Sequence, residues 1–498
     1  MKIWGYKRDL DLLLINTPLS DYSQQGPEST PFQPAMGLAV LASYLDRRGF
    51  RVGVWDAEAD KIAPAGIAEG IALLKPRWAG FNTFTSSFEI LADTIRRVAQ
   101  ISPETRLMLG GADVTTGYEY YLTSKAFERA VLVKHDGELK TEAILGGKRL
   151  EEISGIVFIS AEGVITTKES RDWLVQDIGS PSFSLNREFV SYDPTFGNTG
   201  PDGKRRAFIA SSRGCPYECT FCASSRLLKE GLLPRYREPG DVVRELVEII
   251  EAGVLDIKFN DELVWASEKR IREILDPLKE MGHTRETGLE LRGNGRVNVI
   301  ARASDATLDV MQEVGVRKVG MGVEQGTVEG MERIKKRITP EEVIVATRRL
   351  AERGIPALVN FMFGLPGQNE KETKAVVALA RDLVLIGRHY GVDIELDGYK
   401  YRPYQGTELW DELLKKGYSP EDLRKVIQVP RAGERGGSHL QVEPFLNLGE
   451  ITFETEWEHR RVLNQLTEMT YKELWETKNK YPSSLYLEGQ YSRSPERR

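Results

Sequence analysis

Two long series of alternating strands and helices constrain the fold of this chain more than any other feature of its sequence. In residues 10–145, short apolar runs such as Leu12–Ile15 and Trp78–Asn82 alternate with helices whose apolar residues recur on one face, as in Phe88–Val98. Buried strands separated by helices are typical of a parallel sheet covered on both faces. The sequence therefore predicts an α/β domain with a doubly wound, Rossmann-like parallel sheet over residues 1–150.

A second series occupies residues 201–405 and predicts a different arrangement. Six strand–helix units in a row indicate a full or partial (β/α)6 parallel barrel, whose chemistry collects at the carboxyl ends of its strands. Residues 151–200 are predicted to form a linker with a hairpin, residues 406–498 form a mainly helical C-terminal region, and no solenoid repeat is present. The predicted barrel strands are Ala207–Ala210, Asp256–Asn260, Leu289–Arg292, Lys318–Gly322, Leu358–Phe363 and Asp393–Tyr399.

Composition excludes several broad classes of protein. With 41% apolar and 29% charged residues in 498, the chain has enough apolar side chains for sizeable cores and is neither disordered nor fibrous as a whole. Its net charge of −6 argues against a general nucleic-acid binder. No stretch is long and apolar enough for a membrane span, and charges interrupt the first residues where a secretory signal would be apolar, so we expect a cytoplasmic protein.

Small and hydroxylic residues follow the strands of the first series. In a doubly wound sheet the ligand lies beyond the carboxyl ends of the strands, so these loops are candidates for binding a large ligand. The same residue types are also ordinary turn formers, and these loops alone do not decide between the two interpretations. The candidates are Asn16, Thr17, Pro18, Thr83, Thr85, Ser86, Gly110, Gly111, Asp113, His135, Gly137 and Glu138.

All three cysteines of the chain lie within eight residues, at Cys215, Cys219 and Cys222, in the loop after the first predicted barrel strand. Thiolates this close suit one soft-ligand centre, either zinc or an iron–sulfur cluster. A structural zinc site needs four protein ligands, so one of five remote histidines would have to complete it. A cubane cluster held by three cysteines leaves one iron open to a non-protein ligand. Buried, unliganded thiols are a poor explanation of such close spacing.

The segment Arg213–Cys222 resembles the cluster loop of radical S-adenosylmethionine (SAM) enzymes, including Phe221 before the last cysteine. Further matches follow in order: Phe259–Glu262, Arg296, Gly320–Gly326, Phe363–Gly367 and Arg402–Thr407. The last of these, together with residues 10–145, is similar to the branch with an N-terminal cobalamin-binding domain. The resemblance covers roughly the first 410 residues and is most specific in the barrel.

This resemblance implies three cofactors: a [4Fe–4S] cluster on Cys215, Cys219 and Cys222, SAM on the open iron, and cobalamin at the polar loops of the first domain. It also implies that one electron splits SAM to methionine and a 5'-deoxyadenosyl radical. The Asp-x-His-x-x-Gly pattern with which cobalamin-dependent mutases and methionine synthase bind cobalt is missing, because the loop after the first strand contains no histidine; several cobalamin-dependent radical enzymes also lack it. We therefore expect cobalamin with its lower face unliganded, the alternative being a domain that has lost the cofactor.

The resemblance also implies roles for single residues in SAM binding. Asp261 or Glu262 accepts hydrogen bonds from the ammonium group, Arg296 pairs with the carboxylate, and Glu324 binds the ribose, although each could instead cap a helix or balance a nearby charge. Phe221 lines the adenine pocket or seals the cluster from water. Backbone of Gly364, Leu365, Pro366 and Gly367 approaches the adenine, or forms a plain turn. The substrate-pocket candidates after the last strand are Tyr399, Tyr401, Arg402 and Tyr404.

The leading hypothesis is a cobalamin-dependent radical SAM methyltransferase that acts on an unactivated carbon. One alternative uses the same cofactors for a rearrangement, ring contraction or cyclisation. Another is a non-catalytic carrier of cobalamin or of the cluster, and a zinc-stabilised binding protein is the last. The expected partners are a small-molecule or peptide substrate and an electron donor of the flavodoxin or ferredoxin type, with no nucleic acid.

Overall fold

The structure, a computed structural model, describes residues 3–5, 8–19, 35–175, 205–229, 232–425 and 452–482. These residues divide into two compact units. The first contains the described residues up to Arg205 and those from Pro403 to Lys425, and the second contains the remainder. The chain therefore passes between the units three times.

The first unit contains one eight-stranded sheet. Its strands are β1 (Ile3–Trp4), β2 (Leu12–Asn16), β3 (Val52–Asp56), β4 (Trp78–Asn82), β5 (Arg106–Gly110), β6 (Ala130–Val133), β7 (Ile156–Ser160) and β8 (Gly163–Thr166). Its helices are α1 (Met36–Asp46), α2 (Pro64–Leu74), α3 (Phe88–Ile101), α4 (Ala112–Tyr121) and α5 (Glu138–Leu145), with short 3-10 turns at Thr85–Ser87, Lys125–Phe127, Leu150–Glu152 and Arg171–Trp173.

The strand order of this sheet is β1-β3-β2-β4-β5-β6-β7-β8, and its five central strands are parallel. The chain runs from β2 to β3 in one direction and then crosses back over β2 to β4, so the direction of winding reverses between β2 and β4. This confirms the predicted doubly wound sheet. The switch point places the carboxyl ends of β2 and β4 side by side, where a ligand of such a sheet binds.

Apolar side chains on both faces of the central strands hold the first unit together. Leu13 and Ile15 on β2 are fully buried, as are Leu91 and Ile95 on the helix α3. Each such side chain stabilises the fold by roughly 1.5–3 kcal/mol relative to exposure. The predicted hairpin after residue 150 is present as β7 and β8, which extend this same sheet: β7 is antiparallel to β6, and β8 is antiparallel to β7.

The second unit contains a six-stranded parallel sheet. Its strands are β9 (Arg206–Ile209), β12 (Asp256–Phe259), β13 (Glu290–Asn294), β14 (Val316–Glu324), β15 (Ala357–Phe363) and β16 (Ile394–Lys400), and a separate ribbon contains β10 (Ser212–Arg213) and β11 (Arg235–Tyr236). Its helices are α6 (Ala223–Lys229), α7 (Pro239–Glu251), α8 (Glu268–Glu280), α9 (Val297–Arg302), α10 (Asp305–Val314), α11 (Val328–Arg333), α12 (Pro340–Ala351) and α13 (Glu370–Tyr390), with 3-10 turns at Arg285–Thr287 and Thr477–Asn479.

Within this sheet the strands pair in their order along the chain, β9-β12-β13-β14-β15-β16, because β10 and β11 form the separate ribbon. Winding in one direction confirms the predicted partial barrel of six strands, with helices on one face only. The faces alternate on β15, where Val359 and Phe361 are fully buried and Asn360 and Met362 are partly exposed. We call the side of Asn360, away from the covering helices, the concave face.

The C-terminal helices are shared between the units. Helices α14 (Glu408–Lys415) and α15 (Pro420–Lys425) belong to the first unit, and α16 (Phe453–Gln465) and α17 (Tyr471–Glu476) belong to the second. The predicted boundary at residue 405 stays a prediction, and the predicted linker beyond Val175 and the C-terminal tail lie outside the described residues. In the described part of the chain no helix is long and apolar enough to cross a membrane.

Candidate cofactor sites

The three cysteines lie in the loop between β9 and α6, at the carboxyl end of the barrel sheet. The backbone N–H of Cys222 donates to the carbonyl of Cys219 at 3.1 Å, so the last two thiols share one tight turn. Cys219 is buried, and Cys215 and Cys222 are partly exposed. The loop therefore presents three thiols from a single turn of chain, as its spacing predicts.

Burial raises the pKa of the Cys215 thiol, and the neighbouring Cys222 and Cys219 raise it further. Burial also raises the pKa of Cys222. Three thiolates held together in this way need a positive centre that compensates their charge, and soft iron–sulfur chemistry fits a donor set made only of sulfur. Among the described residues, no group of three or more His, Cys, Asp or Glu side chains forms a site for a single metal ion.

A short segment after α11, Ile334–Lys336, braces the cysteine loop. The carbonyl of Ile334 accepts a hydrogen bond from the N–H of Thr220 at 3.1 Å. Lys335 has a φ of +54°, a left-handed conformation that is uncommon for a residue with a side chain. The ammonium of Lys336 lies 5.6 Å from the centre of the Phe221 ring. This contact was not predictable, because no sequence motif marks residues 334–336.

Arg296 is buried beside the same loop and is not a solvated surface charge. Its guanidinium donates to the carbonyl of Lys336, lies 4.0 Å from Sγ of Cys219 and stacks 3.9 Å above the ring of Tyr217. Only 5% of Arg296 is exposed. The structure thus places this predicted SAM ligand against a cluster cysteine.

Asp261 and Glu262, predicted as alternatives, have different surroundings. Asp261 is buried and accepts hydrogen bonds from the N–H and hydroxyl of Ser211 and from the hydroxyl of Ser212. Burial raises its pKa. Glu262 is exposed, and the backbone N–H of Gly214, inside the cysteine loop, favours the charged form of its carboxylate. Asp261 therefore joins β12 to the loop after β9, and Glu262 has a carboxylate that can meet a ligand.

Glu324 ends β14 with a φ of +70° and is buried. Its carboxylate pairs with Lys336 at 3.0 Å, not with Arg317 or Lys318, the partners considered from the sequence. Two glycines precede it on the concave face. A Cβ at Gly322 would lie 2.4 Å from the Glu324 carboxylate, so glycine is required for this approach.

Two glycines in the turn after β15 have left-handed backbone conformations. Gly364 and Gly367 have φ values of +74° and +76°, which favour glycine, and Leu365 and Pro366 between them are buried. The N–H of Gly364 donates to the side-chain oxygen of Gln368 at 2.7 Å. The turn is therefore held by its own side chain, and its role toward adenine stays a prediction.

The substrate-pocket candidates after β16 are not equivalent. Tyr399 is 51% exposed, and its hydroxyl donates to Asp397 at 2.8 Å on the concave face. Tyr401 is fully buried, which makes it a core residue, while Tyr404 is 42% exposed and Arg402 is partly exposed. Of the two candidate tyrosines in the second unit, Tyr399 has the larger exposed surface. Tyr404 belongs to the first unit.

The amino end of the concave face is closed by charged side chains. Arg292 and Arg206 both donate to the buried carboxylate of Asp256, at 2.9 and 2.5 Å. Lys318, next to Arg292 in register, pairs with Glu395. Gly320 and Gly322 lie further along β14, and the side chains of Asn294 and Glu324 occupy the space beside them.

Side chains at the switch point of the first unit form one hydrogen-bonded network. The amide of Asn16 donates to Asp56 at 2.8 Å, the amide of Asn82 donates to Asn16 at 2.7 Å, and the hydroxyl of Thr17 donates to the carbonyl of Asn82 at 2.7 Å. Burial raises the pKa of Asp56 to about 6. This edge of the sheet is therefore formed by Asn16, Thr17 and the buried Pro18.

The loops after β4 and β5 present more surface. Thr83 is fully buried, and its hydroxyl donates to the carbonyl of Gly110 at 3.0 Å. Thr85 donates to Asp113 at 2.5 Å, which ties the two loops together. Gly111 is exposed with a φ of +111°, and a Cβ there would lie 3.1 Å from the N–H nitrogen of Thr83. Exposed backbone at Gly111, beside the partly exposed Thr85 and Ser86, fits a large flat ligand.

The predicted residues after β6 lie apart from the switch point. His135 has a buried side chain 3.7 Å from Glu169, which also pairs with the fully buried Lys140 at 2.8 Å. Glu138 is buried at the start of α5, and Gly137 precedes it. The His135 imidazole is therefore enclosed by protein. One exposed residue that the prediction omitted is Phe84, which is 42% exposed in the loop after β4.

Two family models match the chain. The B12 binding domain matches residues 29–145, and the Radical SAM superfamily matches residues 209–380. The first match covers β3 to β6 of the first sheet, and the second runs from the end of β9 into α13. The second match contains the cysteine loop.

Curated relatives align over most of the chain. An uncharacterized methyltransferase of Pyrococcus horikoshii is 28% identical over 76% of this chain and 78% of its own length. The anaerobic magnesium-protoporphyrin IX monomethyl ester cyclase of Rubrivivax gelatinosus is 25% identical over 84% of this chain and 73% of its own. The similarity therefore extends across both units.

A solved structure has the same fold. The radical S-adenosylmethionine methyltransferase TsrM from Kitasatospora setae, with cobalamin and a [4Fe-4S] cluster bound, superposes with a TM-score of 0.63 at 19% sequence identity. The match covers 82% of this chain and 78% of TsrM. At this level of identity, the match demonstrates a common fold.

Proposed function

Since the chain belongs to the cobalamin-dependent radical SAM enzymes, we propose that it is a methyltransferase that adds a methyl group to an unactivated carbon of a small molecule or peptide. Its cofactors are a [4Fe–4S] cluster, SAM and cobalamin. When bound, the cluster and SAM supply a carbon-centred radical, and cobalamin supplies the methyl group. The observation that carries the proposal is the all-sulfur triad of Cys215, Cys219 and Cys222 in a chain whose other unit has a B12-binding fold.

The residues of this chain position and shield the cofactors. Cys215, Cys219 and Cys222 would hold three irons, which leaves the fourth for SAM. Glu262, exposed beside the cysteine loop, would accept hydrogen bonds from the SAM ammonium. Ion pairs of Asp256 with Arg206 and Arg292 line the amino end of the concave face.

On the first unit, the Asn16–Asp56–Asn82 network and the exposed backbone at Gly111 would hold cobalamin. His135 is buried against Glu169, so it would not supply a ligand to cobalt. This agrees with cobalamin bound with its lower face unliganded. An electron donor of the flavodoxin or ferredoxin type would supply the electron for each turnover.

A second candidate function is a cyclisation or rearrangement with the same cofactors. The similarity to the anaerobic cyclase of Rubrivivax gelatinosus, at 25% identity, favours it. Both functions use the same cysteine loop and the same cobalamin domain. They differ in what becomes of the SAM methyl group.

Product stoichiometry separates the two functions. Reconstituted, reduced enzyme would be incubated anaerobically with trideuteromethyl SAM and a small-molecule extract of the source organism. A radical methyltransferase forms one deoxyadenosine and one S-adenosylhomocysteine per product, because one SAM gives the radical and a second replaces the methyl group. The product gains the three deuterium atoms.

A Cys215→Ala, Cys219→Ala, Cys222→Ala triple variant is the control and should bind cobalamin but form no deoxyadenosine. Deoxyadenosine without S-adenosylhomocysteine, and a product without deuterium, would assign the second function. Deoxyadenosine formation by neither protein would identify a carrier and contradict both functions.

A further inference from the structure

Arg296 carries a positive charge in a buried position beside the cysteine loop. The residue precedes α9 and is 5% exposed. Its guanidinium contacts are the carbonyl of Lys336, the ring of Tyr217 and, at 4.0 Å, Sγ of Cys219. The Nε atom is buried without a hydrogen-bond partner in the described part of the chain. A buried cation of this kind is costly unless an anion compensates it.

Other cations beside the cysteine loop have carboxylate partners. Lys336 pairs with Glu324 at 3.0 Å, and Arg337 pairs with Glu218 at 2.7 Å. No carboxylate among the described residues forms an ion pair with Arg296, whose contacts are a carbonyl, an aromatic face and a thiol. The nearest group that carries negative charge when metal is bound is therefore the sulfur of Cys219.

The position of Arg296 is fixed from three sides. The ring of Tyr217, two residues after the first cysteine, lies 3.9 Å from its Cζ atom. The carbonyl of Lys336 belongs to the segment that also binds the N–H of Thr220, inside the loop. A planar guanidinium satisfies a stacking contact and a hydrogen bond together, which an ammonium does not. Its charge is thus held at one distance from Cys219.

We propose that Arg296 is a positioning residue that sets the reduction potential of the cluster, by holding a fixed positive charge against the ligand sulfur of Cys219. This inference depends on the cluster of the proposed function. One-electron reduction adds a negative charge to the cluster, and a nearby buried cation stabilises that charge more than water does. Arg296 therefore makes the cluster easier to reduce.

The test compares reduction potentials, measured by redox titration with electron paramagnetic resonance, of reconstituted protein without SAM. Arg296→Gln should disfavour reduction at least tenfold, which is a lowering of about 59 mV for one electron. Arg296→Lys keeps the charge and should lower the potential less. Arg337→Gln is the matched control: it removes an exposed arginine of the same region and should leave the potential unchanged.

An Arg296→Gln protein with full iron content and an unchanged potential would overturn the inference. If this variant weakens only SAM binding, then Arg296 pairs with the SAM carboxylate and the inference is wrong. Should Arg296→Gln take up no iron, Tyr217→Leu decides: it frees the guanidinium, so the inference requires a lower potential, and an unchanged one rejects it. Deoxyadenosine and S-adenosylhomocysteine yields of the wild type test the proposed function separately.

Discussion

At the scale of single residues, Asp56 shows how burial and charge combine at the candidate cobalamin edge. Its Oδ1 atom accepts hydrogen bonds from Asn16 at 2.8 Å and from the N–H of Ala59 at 3.0 Å. Burial outweighs these bonds and raises the pKa of Asp56 to about 6, and the neighbouring Glu58 and Asp60 contribute. The carboxylate is therefore held in a site that favours its neutral form.

Asp56→Asn should stabilise the apoprotein near neutral pH. The folded-state pKa of Asp56 is above its unfolded value of 3.8, so its contribution to the free energy of unfolding falls as pH rises from about 4 to about 6. An amide keeps the Oδ1 acceptor and removes this dependence. The expected gain at pH 7 is on the order of 3 kcal/mol and vanishes near pH 4.

Hydrogen exchange of the β2 and β3 amides between pH 4.5 and 8, corrected for intrinsic rates, measures this difference. Equal pH dependence of protection in wild type and variant would show that Asp56 titrates normally in the folded protein.

The sequence predicted residues whose role is local and missed those whose role depends on distant contacts. The three cysteines were predicted because their spacing alone defines the site. The pairing of Arg296 with the carbonyl of Lys336 spans 40 residues, and its approach to Cys219 spans 77. Likewise, nothing in the motif around Asp261 indicates that Ser211 and Ser212 occupy its carboxylate.

At the scale of elements, the turn from β5 into α4 illustrates why a glycine is needed at the candidate cobalamin edge. Gly111 has a φ of +111°, and an added Cβ would meet the backbone of Thr83 at 3.1–3.3 Å. Gly163 in the β7–β8 hairpin has a φ of +116° with open space around it. Both glycines have a backbone conformation that residues with a side chain rarely adopt. Only at Gly111 would an added Cβ meet neighbouring atoms.

Gly111→Ala should weaken cobalamin binding, because relief of the contact displaces the loop of Thr83 from the edge of the sheet. Both Gly111→Ala and Gly163→Ala lose roughly 1–3 kcal/mol of stability from the left-handed conformation. Only the first should lower cobalamin affinity, by about tenfold or more. Spectrophotometric titration with hydroxocobalamin measures the effect, and an equal loss in both variants would contradict it.

The elements were predictable because each strand is an apolar run and each helix has one apolar face. Predicted and observed bounds can agree closely: β12 occupies Asp256–Phe259 where Asp256–Asn260 was predicted. The segment Ile334–Lys336 was not predictable, since it has no periodicity in its side chains. Its contacts with Thr220 and Arg296 are hydrogen bonds to backbone carbonyls. Backbone contacts of irregular segments leave no pattern in side-chain type.

At the scale of the whole molecule, the first unit is not one continuous stretch of sequence. After the barrel, the chain returns and packs α15 against α4 of the first unit. Arg424 is buried there, 3.6 Å from Asp113, and stacks 3.7 Å above the ring of Tyr120. Gln405, from the same returning segment, accepts a hydrogen bond from Arg424 at 2.6 Å. The candidate cobalamin edge is therefore supported by residues three hundred positions away, which the predicted boundary at residue 405 did not anticipate.

Arg424→Met should destabilise the first unit by roughly 3 kcal/mol, since it leaves the buried Asp113 carboxylate without its cation. Adding Asp113→Asn should recover part of this loss, because the amide carries no charge. Urea unfolding of apoprotein, followed by hydrogen exchange of α4, measures both variants. Additive losses in the double variant would show that the two side chains do not interact.

Because α15 lies far along the sequence, the first unit is completed late in the synthesis of the chain. The surface of Tyr120 and Asp113 leaves the ribosome about 300 residues before Arg424, which covers it. At a synthesis rate of roughly 5–20 residues per second, this surface is synthesised roughly 15–60 s before the residues that cover it. Vectorial folding can therefore complete the barrel sheet, whose last strand ends at Lys400, before the older N-terminal sheet receives its final helices.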